Sequence, residues 1–130
     1  MRFFGKIQNA FRWSSAIDSA SEGDFSGARA KLESIDPTNL GIPNREFFLL
    51  KAFVLMKLNS EDAKPTIAKA LNAIDASKNL KEEERVYLRT YAEWVLASMY
   101  NNSPKAPVVE LRSGHLNEVP ERIKSLFPLN

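Results

Sequence analysis

The chain has no cysteine and a single histidine in 130 residues. The first absence removes disulfides, thiolate metal ligands and thiol nucleophiles, and it fits a reducing compartment. The second leaves His115, in RSGHLNE, as the only imidazole. A metal site needs several convergent His, Cys or carboxylate ligands, and a histidine-activated nucleophile would have to bring His115 to Ser14, Ser15 or another serine. No spacing prepares either, so His115 reads as a loop histidine without a catalytic role. Glycine is scarce as well. Gly23 and Gly27 are separated by DFS with no Gly-Lys-Ser/Thr after them, so there is no phosphate loop. No apolar run approaches the roughly 20 residues that span a bilayer. A net charge of +2 is too small to imply nucleic acid. No cofactor and no metal are expected, and the chain is not expected to be an enzyme.

What remains is an ordinary globular composition, 44% apolar and 26% charged, enough for one domain over residues 1–130 with a real core. The opening MRFFGKIQNAFRW is apolar and purely basic, with Arg2, Lys6 and Arg12 and no acid before Asp18. Lys6, Gln8 and Asn9 break the continuous apolar stretch that a secretory signal requires. An Arg-rich, acid-free amphipathic start also matches a mitochondrial presequence, or a helix lying on a membrane surface with Phe3, Phe4, Ile7 and Phe11 inserted. The preferred reading is plainer. Phe3 or Phe4, Ile7, Ala10 and Phe11 continue at helical spacing into Trp13, Ala16, Ile17 and Ala20, which predicts one helix with that stripe in the core. Removing residues 1–12 would then strip the core, and the protein is expected to be cytoplasmic.

Four further long helices follow, each with its own punctuation. Gly23-Asp24 turns the chain and caps a helix carrying Phe25, Ala28, Leu32 and Ile35, which Asp36-Pro37 ends. Asn44 is expected to cap a helix from Phe47 to Leu58 that is apolar nearly all round, hence central. Asp62 is expected to cap the next, with Pro65 in its first turn and Ala63, Ile67, Ala70, Leu71 and Ile74 inward. Asn79 and Glu82 resemble a capping box before a helix whose core stripe is Leu88, Tyr91, Ala92, Val95, Leu96 and Met99. The acidic stretches EDAK and KEEE stand at these helix starts, where the positive end of the helix dipole accounts for them. Beyond NNSPKAP the segment VVELR is strand-like, and Pro120 is placed to start one short helix.

A shift of 39 residues lays LESID (Leu32 to Asp36) on LNAID (Leu71 to Asp75), Ala28 on Ile67, and Trp13 on Ala52 on Tyr91. Helix-pair repeats of this length characterise α-solenoids. Residues 13–37, with Trp13, the small Ala16 and Ala20, Gly23-Asp24, Ala28 and Pro37, resemble a tetratricopeptide repeat. The likeness spans roughly residues 10–100 and departs in its tight turn, its short second helix and a second repeat lacking both glycine and closing proline. The resemblance implies a concave surface that binds a protein or peptide, without a cofactor.

The expected fold is therefore all-α, a short right-handed α-solenoid of about two and a half antiparallel hairpins. Residues 1–102 form the helical-repeat core and residues 103–130 a proline-rich capping extension. Residues 108–112 either cap the last repeat, the preferred role, or form an edge strand open to a partner. The candidate partner-binding residues are Arg85, Tyr87, Arg89 and Trp94. Tyr87, Tyr91 and Trp94 share one edge of the fifth helix, with Arg85 and Arg89 beside them, and Tyr, Trp and Arg are enriched at energetic centres of interfaces. Reversing both arginines is expected to leave the fold intact. The expected function is a non-enzymatic protein-interaction module, such as an adaptor, chaperone or immunity-type inhibitor, with a protein partner that offers acidic groups. The alternative is membrane contact through residues 1–12.

Overall fold

The computed structural model describes residues 2–100 and 115–129, and among them every regular element is helical. Helices α1 (Arg2–Ser21), α2 (Phe25–Glu33), α3 (Asn44–Lys57), α4 (Ala63–Ala76), α5 (Glu82–Ser98) and α6 (Glu121–Leu126) are joined by loops and by 3-10 turns at Pro37–Asn39 and His115–Glu118. VVELR and the rest of the extension up to residue 114 lie outside the described residues, so neither the expected strand nor its capping role is among the features below.

Local chemistry sets most of these boundaries. Asp24 caps α2, its Oδ1 accepting from the Gly27 amide at 3.0 Å, and Gly23 takes the left-handed conformation of the preceding turn at φ 84. Asp36 then caps the 3-10 turn, accepting from the Thr38 amide. Three expected side-chain caps do not form. Asn44 is the first residue of α3 behind Pro43, and α5 begins at Glu82 behind Lys81, too late for Asn79 to pair with Glu82. In both helices an acid in the first turn still faces the positive end of the dipole. Asp62 precedes α4 but makes no side-chain cap; its carboxylate faces Arg29 at 3.7 Å instead.

Helices α1 and α2 pack as one pair and α3 and α4 as another, with α5 against both α4 and α3. The apolar α3 is the centre, burying Phe47, Leu49, Leu50, Ala52, Val54 and Leu55. Around it gather Trp13 and Ala16 from α1, Leu32 from α2, Ile67 and Ile74 from α4, and Leu88, Tyr91 and Val95 from α5. Among the described residues no helix is long and apolar enough to cross a membrane.

One expectation is reversed. Ile7 is 40% exposed and Phe11 72%, so within residues 5–12 α1 does not place the expected apolar stripe in the core. The inward phase of α1 is fixed by Trp13 and Ala16, and one turn before Trp13 that phase falls on Asn9. Asn9 is buried because its amide nitrogen donates to the carbonyls of Asp36 and Asn39, at 3.3 and 3.2 Å, in the turn after α2. Satisfying those carbonyls turns Ile7 and Phe11 outward.

Candidate functional site

The short α6 builds the most distinctive surface. Val119, Ile123 and Phe127 recur at i, i+4, i+8, and with Leu129 they are buried. The Phe127 ring lies 5.1 Å from that of Tyr91, and the Tyr87 hydroxyl donates to the Phe127 carbonyl at 2.7 Å. On the other side of α6, Arg122 grips Glu46 with both guanidinium nitrogens, one of them at 3.1 Å. The Glu46 side chain is fully buried, 0% exposed, whereas that of Arg122 is 60% exposed. A buried carboxylate needs such a partner, and the same hydrogen bond holds the Arg122 guanidinium above its ordinary pKa.

Seated this way, α6 leaves an apolar cleft on each flank. The first, about 510 Å³, lies between α1 and the 41–43 loop and includes Trp13, Ile17, Pro43 and Arg122. The second, about 210 Å³, reaches from Ala20 across Phe53 to Trp94 and Pro128. Ile17, Ser125 and Leu126 line both. The two clefts therefore adjoin across Ile17, Ser125 and Leu126 and together make a trough divided by these residues, with a tryptophan at each end. The indole N–H of Trp94 is buried without an acceptor, and its ring packs at 5.4 Å on Tyr91 and 6.1 Å on Phe53.

The four residues expected to form a partner wall are divided between two sides of α5. Tyr87 and Trp94 face the α6 side. Tyr87 is 3% exposed and holds α6 rather than presenting itself; burial pushes its phenol and that of Tyr91 to higher pKa, so both stay protonated. Arg85 and Arg89 face α4. Arg85 closes the C-terminus of α4: one nitrogen donates to the carbonyl of Ile74, and another to that of Ser77 at 2.6 Å. These are the orphan carbonyls a helix end leaves. Arg89 pairs with Asp75 and lies 3.6 Å from Glu93, and the hydrogen bond to Asp75 raises its pKa. Trp94 is thus the one member of the set that lines the trough.

Residues that sequence reasoning did not select complete the site: Trp13, Ile17, Ser125 and Leu126. The i, i+4, i+8 spacing of Val119, Ile123 and Phe127 was the available signal for a seated C-terminal helix. His115 opens a 3-10 turn. Among the described residues no three acidic or histidine side chains converge as a metal centre would require. No protein-family model matches the chain, and no curated protein or solved structure matches it either.

Proposed function

We propose that the protein is a non-enzymatic interaction module that receives apolar anchor side chains of a protein partner in the trough beside α6. The observation that carries this reading is the trough itself, two adjoining apolar clefts ended by Trp13 and Trp94. Partly open apolar pockets walled by aromatics are where interface energy concentrates. The acidic complement expected on the partner belongs here opposite Arg122, whose side chain is 60% exposed at the rim of the first cleft although it already holds Glu46, rather than opposite Arg85, which lines neither cleft.

The finer fold reading is of the same standing: a short right-handed solenoid, tetratricopeptide-like, with the C-terminal helix covering its last layers. Burial at positions 39 residues apart supports it. Trp13, Ala52 and Tyr91 are all buried, as are Ala28 with Ile67 and Ile35 with Ile74. The inequality of α2 and α4, 9 and 14 residues, is the departure already visible in LESIDP.

The test uses Ser125, an exposed residue that lines both clefts. A partner captured from the native source and identified by mass spectrometry is titrated against wild type, Ser125→Arg and Arg89→Glu. The trough reading expects Ser125→Arg to weaken binding about tenfold or more, roughly 1.4 kcal/mol, with an unchanged melt. Full affinity in Ser125→Arg together with loss in Arg89→Glu would move the site to the α4 side of α5.

A further inference from the structure

The outward stripe of α1 stands apart from the trough. Of residues 5–12 only Asn9 is buried, and Ile7, Ala10 and Phe11 lie among the exposed ones. The helix is fastened by its polar side. Asn9 holds the turn after α2, the Arg12 guanidinium donates to the Ser34 carbonyl at 3.0 Å, and Lys31 from α2 donates to the Ser19 hydroxyl at 2.6 Å. Over residues 5–12 the inward position is polar and the large apolar side chains face water, the reverse of an ordinary surface helix and of the Trp13–Ala16 stretch that follows. Exposed apolar groups of this size, when contiguous, mark an interaction site.

Charge and area select the occupant. Lys6 precedes Ile7 by one residue and Arg12 follows Phe11 by one. At 100° per residue the two cations flank the stripe on opposite sides. Both are exposed, and the Lys6 stem lies across Gly41, where an added Cβ would meet its Cε at 2.7 Å. The first acid on this face is Asp18, about 10 Å beyond Phe11 along the axis. Asp36, across the helix beside Asn9, engages its carboxylate with Thr38. The apolar area is small. Among the described side chains, one aromatic and one aliphatic fall far short of the roughly 1,000 Å² that a specific protein interface or a dimer needs. A lipid surface has no such threshold, since it takes individual apolar side chains between its headgroups while basic residues meet its phosphates.

We propose that the N-terminal half of α1 is a membrane-surface contact, in which Ile7 and Phe11 enter the headgroup region of an anionic bilayer between Lys6 and Arg12. The contact is peripheral and reversible, because two side chains and two charges give only weak partition. It weakens with added salt, since exposed charges are screened within a Debye length. Contact and trough use different side chains of α1, although Ser14, which lines the first cleft, follows Phe11 by three residues on the same face.

The experiment is flotation of the full chain with vesicles of phosphatidylcholine alone and with vesicles in which phosphatidylserine replaces part of it. It uses wild type, Phe11→Glu and Ile7→Glu, with thermal melts of each and sedimentation of the unliganded proteins. Wild type is expected to float with the anionic vesicles and to leave them as salt rises. Phe11→Glu should lower that partition about tenfold or more with the melt unchanged, because the Phe11 side chain makes no core contact to lose. Failure of wild type to float with either vesicle would overturn the proposal. Flotation that Phe11→Glu leaves unchanged would overturn the assignment to this face. A dimer that Phe11→Glu dissolves, without flotation, would give the stripe to a second copy of the chain instead. Each outcome is independent of whether Ser125→Arg affects partner binding.

Discussion

At the C-terminal end, the six residues of α6 and those flanking them bury Val119, Ile123, Phe127 and Leu129. At the N-terminal end, α1 runs for 20 residues, yet within residues 5–12 it buries only an asparagine. Both segments are amphipathic by spacing, and both reach the same body. The difference is phase. In α6 the apolar positions fall in step with the face presented to Tyr87 and Tyr91, so each turn adds a buried side chain. In α1 the inward phase is dictated further along, by Trp13 and Ala16, and the first turns inherit it whether or not their apolar residues agree. A short helix in phase is therefore better seated than the start of a long helix out of phase, and the out-of-phase start is left with a surface to use.

The comparison can be broken most forcefully at Phe127. Its ring is fully buried against Tyr91, so Phe127→Ala should cost about 3–5 kcal/mol, read as a large fall in denaturation midpoint; a midpoint near wild type would mean that α6 is not seated as described. Arg122→Met should cost less, about 1–3 kcal/mol, because it strands the buried Glu46 carboxylate without its donors. The full cost of breaking a buried pair is not expected, since the Arg122 side chain is 60% exposed. In the double variant with Glu46→Gln the two losses should be less than additive.

Arg85→Met comes next, at about 1–2 kcal/mol for a helix end that loses charged donors to the carbonyls of Ile74 and Ser77. Arg89→Met, which removes exposed pairs with Asp75 and Glu93, should fall within about 0–1 kcal/mol. This inequality corrects the expectation that reversing both arginines leaves the fold intact: a glutamate at 85 would set a carboxylate against carbonyl oxygens. The smallest effect belongs to Phe11→Ser, within about 0.5 kcal/mol of wild type, the opposite of what a core stripe over residues 3–11 requires. Thermal or urea melts of the same set rank all five variants.

The helices were legible because periodicity and breakers act locally. The Gly23-Asp24 turn, the Asp36-Pro37 break, the apolar α3 and the Pro120 start each depend on neighbours within a turn or two. The inward stripe of α5 was legible for the same reason, since Leu88, Tyr91, Ala92 and Val95 leave only one face to bury. What escaped was set by distant partners. Whether Ile7 or Asn9 faces inward depends on unsatisfied carbonyls some 30 residues away. Arg85 looks like a surface cation until α4 ends beside it, and Tyr87 looks like an interface residue until Phe127 arrives from 40 positions down the chain. Glu46 was not singled out in the sequence, and its burial became intelligible only with Arg122, 76 residues on. Trp94 was selected for its aromatic character and does line the trough, although its companions there come from α1, α3 and α6.

The contrast between the two ends is tested most directly by native-state amide hydrogen exchange of the full chain. The amides of Ile123, Lys124 and Phe127, which donate to the carbonyls of Pro120 and Ile123, should exchange in the same slow tier as those of Tyr91 and Val95 in α5, through the same cooperative unfolding. The amides of residues 6–10 in α1 should exchange faster, by local opening of turns that bury little apolar surface. Exchange in α6 faster than in the first turns of α1, with α5 still protected, would contradict the account: the C-terminal helix would then be loosely held, and the trough it walls would not persist.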